Sequence, residues 1–304
     1  MISFIRYSAN YSISSAILKL TQFAIFLWLA RMLSINEYAM FGLLIALMQG
    51  VQTFSNAGII EIATGIIAKK PPSGGLIEFE KVATSWFMIL SILTSGICFL
   101  LFIFVIESGD SQSIQGVIAA IFTGVVLGFS MMKSGCARMN ERHTLALMVS
   151  FLPGFFGLLL GFCFFLVHKS VDIFMMAYGA GCFSITILML FKKQLNLEIM
   201  RDSDGLKDFG KSIPWYLFGA IIGWLSGYGA NIVIAANFSL TDVAKFTFVL
   251  TYSSAVLFLL SAPVQVWAPR FTKLYSQMSF DEIEGKNSSF FALLSIFVGS
   301  VGGL

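Results

Sequence analysis

Long apolar runs alternate with short polar connections along almost the whole chain. A spanning helix needs about 20 mostly apolar residues, and eight runs reach that length: 9–30, 38–66, 82–106, 113–136, 144–167, 172–191, 214–236 and 243–268. A ninth begins near residue 289 and reaches Leu304. The connections are short apart from 192–213, which leaves no room for a soluble domain of any size. The predicted fold is an all-α membrane protein, a polytopic helical bundle. Ser289 to Leu304 form a short span with glycines near its end and no charge after them, so the bundle reads as incomplete at this end, in the manner of a truncated frame, with a naturally short ninth helix as the alternative.

Several of the apolar runs carry a polar stripe. In the first, Ser8, Ser12, Ser15, Lys19 and Gln22 recur every three or four residues, within a wedge of about 80° on a helix of 3.6 residues per turn. In the second, Gln49, Gln52 and Asn56 share one face; in the eighth, Thr247, Thr251, Ser254, Ser261 and Gln265 do so, interrupted by Phe258. Lipid cannot satisfy such groups, so each stripe faces protein or water. Two readings follow: the residues line a wet substrate cavity, or they join neighbouring helices by hydrogen bonds.

Lys19 favours the cavity on the first helix. An ammonium at a helix centre costs about 2.5–3.5 kcal/mol on insertion scales. Arg31 is 12 residues away, about 18 Å at 1.5 Å per residue, too far for Lys19 to reach that headgroup layer with ease. Snorkelling to the opposite face is the plainer alternative. In a water-filled cavity, Lys19 would meet a diphosphate or an acidic sugar as a point charge. Asn231 extends the polar side of the seventh helix near Trp224 and Tyr228, rings that would stack on sugars or sit at the membrane interface. Gly219, Gly223 and Gly227 form a small-residue ridge suited to close packing, and Pro153 and Pro263 are expected kinks. Glu61 lies about 120° from the Gln49 face. It is a candidate for ion coupling or a solvated interface carboxylate.

Composition agrees with the pattern: 57% of 304 residues are hydrophobic, 12% are charged, and the mean hydropathy is +0.86. No cleavable leader is legible, so the first apolar run is read as a retained membrane helix. Fifteen Lys and Arg fall in one set of connections and three in the alternate set, which predicts a cytoplasmic N-terminus in a multi-pass protein. Lys69, Lys70, Lys81, Lys133, Arg138 and Arg142 count among the fifteen, whereas Arg31, Lys169 and Lys245 are the three. The net charge of +3 needs no nucleic acid to explain it. Cys98, Cys136, Cys163 and Cys182 have no metal-like spacing, and His143 and His168 fall at loop ends, so no metal is expected. No phosphate-cradling loop of nucleotide-binding form occurs, and no cofactor is expected.

The chain also repeats itself. The turn Leu29–Phe41 matches Ile234–Phe246 at an offset of 205 residues, with Ala30/Ala235, Ser34/Ser239, Ala39/Ala244 and Phe41/Phe246 identical. Glu37/Asp242 and three other pairs are conservative. Six helices separate the two turns, so the implied pseudo-symmetry axis runs along the membrane normal, as in parallel-repeat transporters. Two ordinary capped turns would produce the same pattern.

These turns carry a family resemblance. The run Leu29–Leu47 with the Gly58 region resembles the opening of bacterial polysaccharide-repeat-unit (O-antigen) flippases, relatives of multidrug/toxin extruders and of the peptidoglycan lipid flippase. Lys207–Ser239 resembles the start of that family's second lobe, with Phe209, Gly210 and Pro214 at its phenylalanine-glycine-x-x-x-proline positions. Ala268–Leu274 resembles the close of its eighth helix. The chain departs from the family at Ala230–Asn231, where members often carry an acidic-basic pair.

The resemblance implies a two-lobe transporter: residues 1–191 as a six-helix lobe, 192–213 as a cytoplasmic linker and 214–304 as a partial second lobe. It implies a cavity lined by helices one, two, seven and eight, and an undecaprenyl-diphosphate-linked oligosaccharide as substrate. The site residues set out by the stripes are Ser15, Lys19, Gln22, Gln49, Gln52, Asn56, Asn231, Thr251 and Gln265. The expected setting is a bacterial inner membrane, with membrane lipids and other polysaccharide-assembly proteins as partners. Transport by alternating access needs no covalent chemistry, and no enzyme is expected. A drug or cation extruder of the same superfamily is the first rival and would place a carboxylate in the first lobe's cavity. A non-transporting remnant is the second.

Overall fold

The computed structural model describes residues 2–62, 75–106, 114–140, 142–192, 195 and 203–254, with side chains of the first helix described from Ile13 onward. Nine helices occupy them: α1 (Ile2–Met32), α2 (Ile35–Asn56), α3 (Gly75–Ile106), α4 (Ile114–Met139), α5 (His143–His168), α6 (Val171–Phe191), α7 (Ser203–Leu225), α8 (Ala230–Asn237) and α9 (240–254). No strand occurs among the described residues. Six helices are long and apolar enough to cross a membrane, or seven if the bent pair α7–α8 counts as one crossing. This is an all-helical, multi-pass membrane architecture. The chain forms two compact units, Met1–Phe23 with Thr251–Leu304, and Ala24–Leu250.

In the larger unit, α2 and α4 are the central helices. α2 packs on α4 and α3, and α4 packs on α5 and α6. The α2 sequence explains its position: Leu43 to Met48 are all buried, an apolar girth too wide for a helix with one lipid face. Phe41 anchors one end of the core, edge-on to Phe26 at 4.8 Å and to Phe174 at 5.7 Å between ring centroids. α5 and α6 approach closely because Gly157 and Gly161 face the α6 backbone: a Cβ on Gly157 would lie 2.7 Å from the Tyr178 carbonyl. Hydroxyls tie other helices together, Ser55 to Thr94 at 3.1 Å between α2 and α3, and Ser130 to Thr186 at 3.4 Å between α4 and α6.

Three sequence expectations change. The second apolar run predicts one helix over 38–66; α2 ends at Asn56, and Gly58 takes a left-handed φ of +71° before the chain turns helical again at 59–62. Only glycine adopts that conformation without strain, and its missing side chain leaves space for the Tyr216 ring. Residues 63–66 lie outside the described residues. The seventh apolar run predicts a single span over 214–236; the helix instead begins at Ser203, includes Pro214, and bends by 59° between α7 and α8. Ser226, Gly227 and Gly229 at the break, with Gly223 one turn earlier, supply too little helix propensity to hold it straight. Finally, Gly219 and Gly223 are not a packing ridge among the described residues, since a Cβ on either meets nothing within 4 Å.

Pro153 lies inside α5, where its carbonyl accepts a contact from the Cys182 thiol at 3.2 Å. Pro263 lies outside the described residues.

Candidate functional site

The sequence-named residues divide between the two units. In the smaller one, α1 carries Ser15, Lys19 and Gln22, all half-buried on a helix whose Ile13, Ile17 and Leu20 are exposed. The Lys19 ammonium donates to the Gln22 side-chain oxygen at 3.3 Å, the i, i+3 contact that the helical spacing dictates. Among the described residues it makes no ion pair. Phe23 packs edge-on to Tyr252 at 6.0 Å. Thr251 is buried, and its carbonyl accepts from the Ser254 hydroxyl at 2.9 Å. The Ser8 and Ser12 side chains, Ser261, Phe258 and Gln265 lie outside the described residues.

In the larger unit, Gln52 and Asn56 of the second stripe contact α4. The Asn56 amide donates to the Gln52 carbonyl at 2.8 Å and across to the Gly128 carbonyl at 3.0 Å. Gln52 donates to the Met131 sulfur at 3.9 Å, while its own side-chain oxygen is buried with no hydrogen-bond partner among the described residues. Gln49 is half-buried and Glu61 is exposed beyond the Gly58 break.

A second polar cluster joins α2, α8 and α9. Asn231 at the start of α8 is fully buried; its amide donates to the Gly42 carbonyl of α2 at 3.4 Å, and its oxygen accepts from the Thr247 hydroxyl of α9 at 3.2 Å. Gly42 has no side chain, which is what lets Thr247 reach it. One bend away, the Trp224 indole donates to the Ala46 carbonyl at 3.0 Å, and its ring lies edge-on to Phe54 at 5.2 Å. Asn231 and Trp224 therefore bridge helices in this structure.

The repeat itself is visible as two matching helix starts. Glu37 accepts from the Ser34 N–H at 2.8 Å and hydroxyl at 2.7 Å, and returns its own N–H to the Ser34 oxygen at 3.3 Å. Asp242 and Ser239 reproduce all three bonds, at 3.4, 2.6 and 3.3 Å. Both are reciprocal capping boxes, and the offset of 205 residues brings one onto the other. The Ser239 hydroxyl and N–H hold the Asp242 carboxyl below its ordinary value.

Sequence reasoning missed one charged site. Lys133, counted as a connecting-loop cation, lies inside α4 with its side chain only 1% exposed, and its ammonium donates to Glu80 at 2.8 Å and to the Thr84 hydroxyl at 3.0 Å. Lys81 likewise belongs to α3. The signal was present: Glu80 and Thr84 are one helical turn apart, and Lys133 falls within the apolar run 113–136. Among the described residues no group of three His, Cys, Asp or Glu side chains is placed to hold a metal.

Comparison with known proteins supports this architecture. No family model matches the sequence, and no curated protein matches it. A solved structure of MATE in complex with MaD5 aligns with a TM-score of 0.50 at 14% identity, covering 98% of this chain and 76% of that one. The fold is thus MATE-like.

Proposed function

We propose that this chain belongs to the transport machinery of the superfamily that includes MATE extruders, and that it moves an undecaprenyl-diphosphate-linked oligosaccharide across a bacterial cytoplasmic membrane. The observation that carries the substrate class is Lys19: a half-buried ammonium midway along an apolar helix, with Gln22 and Ser15 on the same face. A cation at that depth is costly unless water or an anion meets it. A diphosphate supplies the anion, and the neighbouring amide and hydroxyl suit sugar hydroxyls. The MATE-like fold supports alternating access, with the lipid tail remaining in the bilayer. A cytoplasmic N-terminus is part of this reading and rests on the charge asymmetry of the connections.

The drug or cation extruder reading shares the fold, and the MATE neighbour keeps it in play. A cationic substrate calls for a carboxylate inside the bundle. Glu80 is partly buried but is matched by Lys133, and Glu61 is exposed.

Complementation of a strain lacking its repeat-unit flippase separates the two. The full chain is expected to restore surface glycan, Lys19→Ala to abolish restoration, and Lys19→Arg to retain part of it. Drug resistance without glycan export would overturn the proposal.

A further inference from the structure

A groove of about 630 Å³ lies in the larger unit where the repeated turns meet. One wall comes from the end of α1 and the start of α2, the other from the first turns of α9. Its size is within the roughly 300–1,000 Å³ usual for small-molecule sites. The walls are mainly apolar, with Leu27, Ile35, Phe248 and Val249 among them, and the last three are exposed. Two cations, Arg31 and Lys245, line the same groove.

Its position along the membrane normal is set by α1. The apolar segment of that helix ends at Met32, and Trp28 lies exposed one turn earlier, where an aromatic residue marks the headgroup boundary. Arg31 is exposed at the last turn of α1. Lys245 is 3.6 Å from Asp242, with its side chain 73% exposed. Such an exposed pair contributes little, and the Asp242 carboxylate is already engaged by the Ser239 cap. Lys245 can therefore swing to a stronger anion. An apolar trough with two cations at headgroup depth matches a molecule that is anionic at one end and aliphatic along the rest.

We propose that this groove binds an anionic phospholipid, its phosphate between Arg31 and Lys245 and an acyl chain along Phe248 and Val249. The site is separate from the α1 polar face and does not depend on which substrate is transported. The lipid joins the two repeat-related turns, so its binding stabilises the arrangement in which they lie together.

The test is direct binding to the purified full chain in detergent, read by native mass spectrometry and thermal unfolding. Phosphatidylglycerol is expected to bind and raise Tm. Phosphatidylcholine with the same acyl chains should bind weakly, and inorganic phosphate should not shift Tm. Removing each cation should weaken phosphatidylglycerol binding roughly fivefold, and Arg31→Gln with Lys245→Gln about thirtyfold, with added salt acting in the same direction. The charge-retaining double variant Arg31→Lys with Lys245→Arg should keep the binding and so controls for folding. Equal binding of the two lipids, or unchanged phosphatidylglycerol binding by the double glutamine variant, would overturn the proposal.

Discussion

Lys133 and Glu80 form an ion pair inside the bundle, 2.8 Å apart, linking α4 to α3. The lysine is almost wholly buried, whereas the glutamate keeps a partly open edge. Removing one partner from such a pair leaves an uncompensated charge, and replacing both by apolar groups is far less harmful. Glu80→Gln is therefore expected to destabilise the folded chain by about 3–5 kcal/mol. Glu80→Gln with Lys133→Met should recover most of that loss. Thermal unfolding in detergent for the two variants checks this directly.

The capping boxes make a second prediction. Ser34→Ala removes the hydroxyl that Glu37 uses at the start of α2, and should cost about 1 kcal/mol. Ser34→Thr, which keeps the hydroxyl that accepts from the Glu37 N–H and donates to the Glu37 carboxylate, should lose much less. Chemical denaturation of the two variants against the native chain measures the difference.

Asp242 gives the paired turn a pH dependence. Its carboxyl is held below the ordinary value by the Ser239 hydroxyl and N–H, with Lys245 a lesser influence. A carboxylate with a lowered folded pKa stabilises fully above its unfolded value near 4, and the contribution is lost as pH falls through the folded value. The stability gap between the native chain and Asp242→Asn should be constant above about pH 5 and close below about pH 4. A gap that instead widened on acidification would contradict the cap.

Gly42 and Thr247 make a steric prediction. A Cβ at Gly42 would collide with the Thr247 hydroxyl and methyl groups. Gly42→Ala should lower Tm, and Gly42→Ala with Thr247→Ala should recover much of it, because the second change removes the colliding atoms. Equal Tm values for the single and double variants would show that the contact is not made.

Much of this fold was legible because lipid imposes a simple rule on the chain: apolar runs of spanning length become helices. The repeat was legible because Ser34, Glu37, Ser239 and Asp242 are local capping chemistry, set by residues three apart. What was missed depends on tertiary contact. Gly58 breaks α2 in company with the Tyr216 ring, 158 residues away, and no window of sequence holds both. Lys133 reads as a loop cation until Glu80 is placed beside it. The partners of Asn231, a backbone carbonyl on α2 and a threonine on α9, are likewise far from it in sequence or set by the fold. A polar stripe marks a face that avoids lipid, and it does not distinguish water from a neighbouring helix. Ser15, Lys19 and Gln22 are half-buried on α1, and Lys19 donates to Gln22 one turn away.

The central claim is that Lys19 meets the anionic headgroup of a lipid-linked glycan during transport. The most direct measurement is translocation of a labelled undecaprenyl-diphosphate oligosaccharide in proteoliposomes containing the purified chain. The native protein should transport it, a folded Lys19→Ala variant should do so at least tenfold more slowly, and Lys19→Arg should keep partial activity, since about 1.4 kcal/mol in a barrier is tenfold in rate. Full-speed transport by Lys19→Ala, or none by the native protein under conditions where it is folded, would contradict that claim.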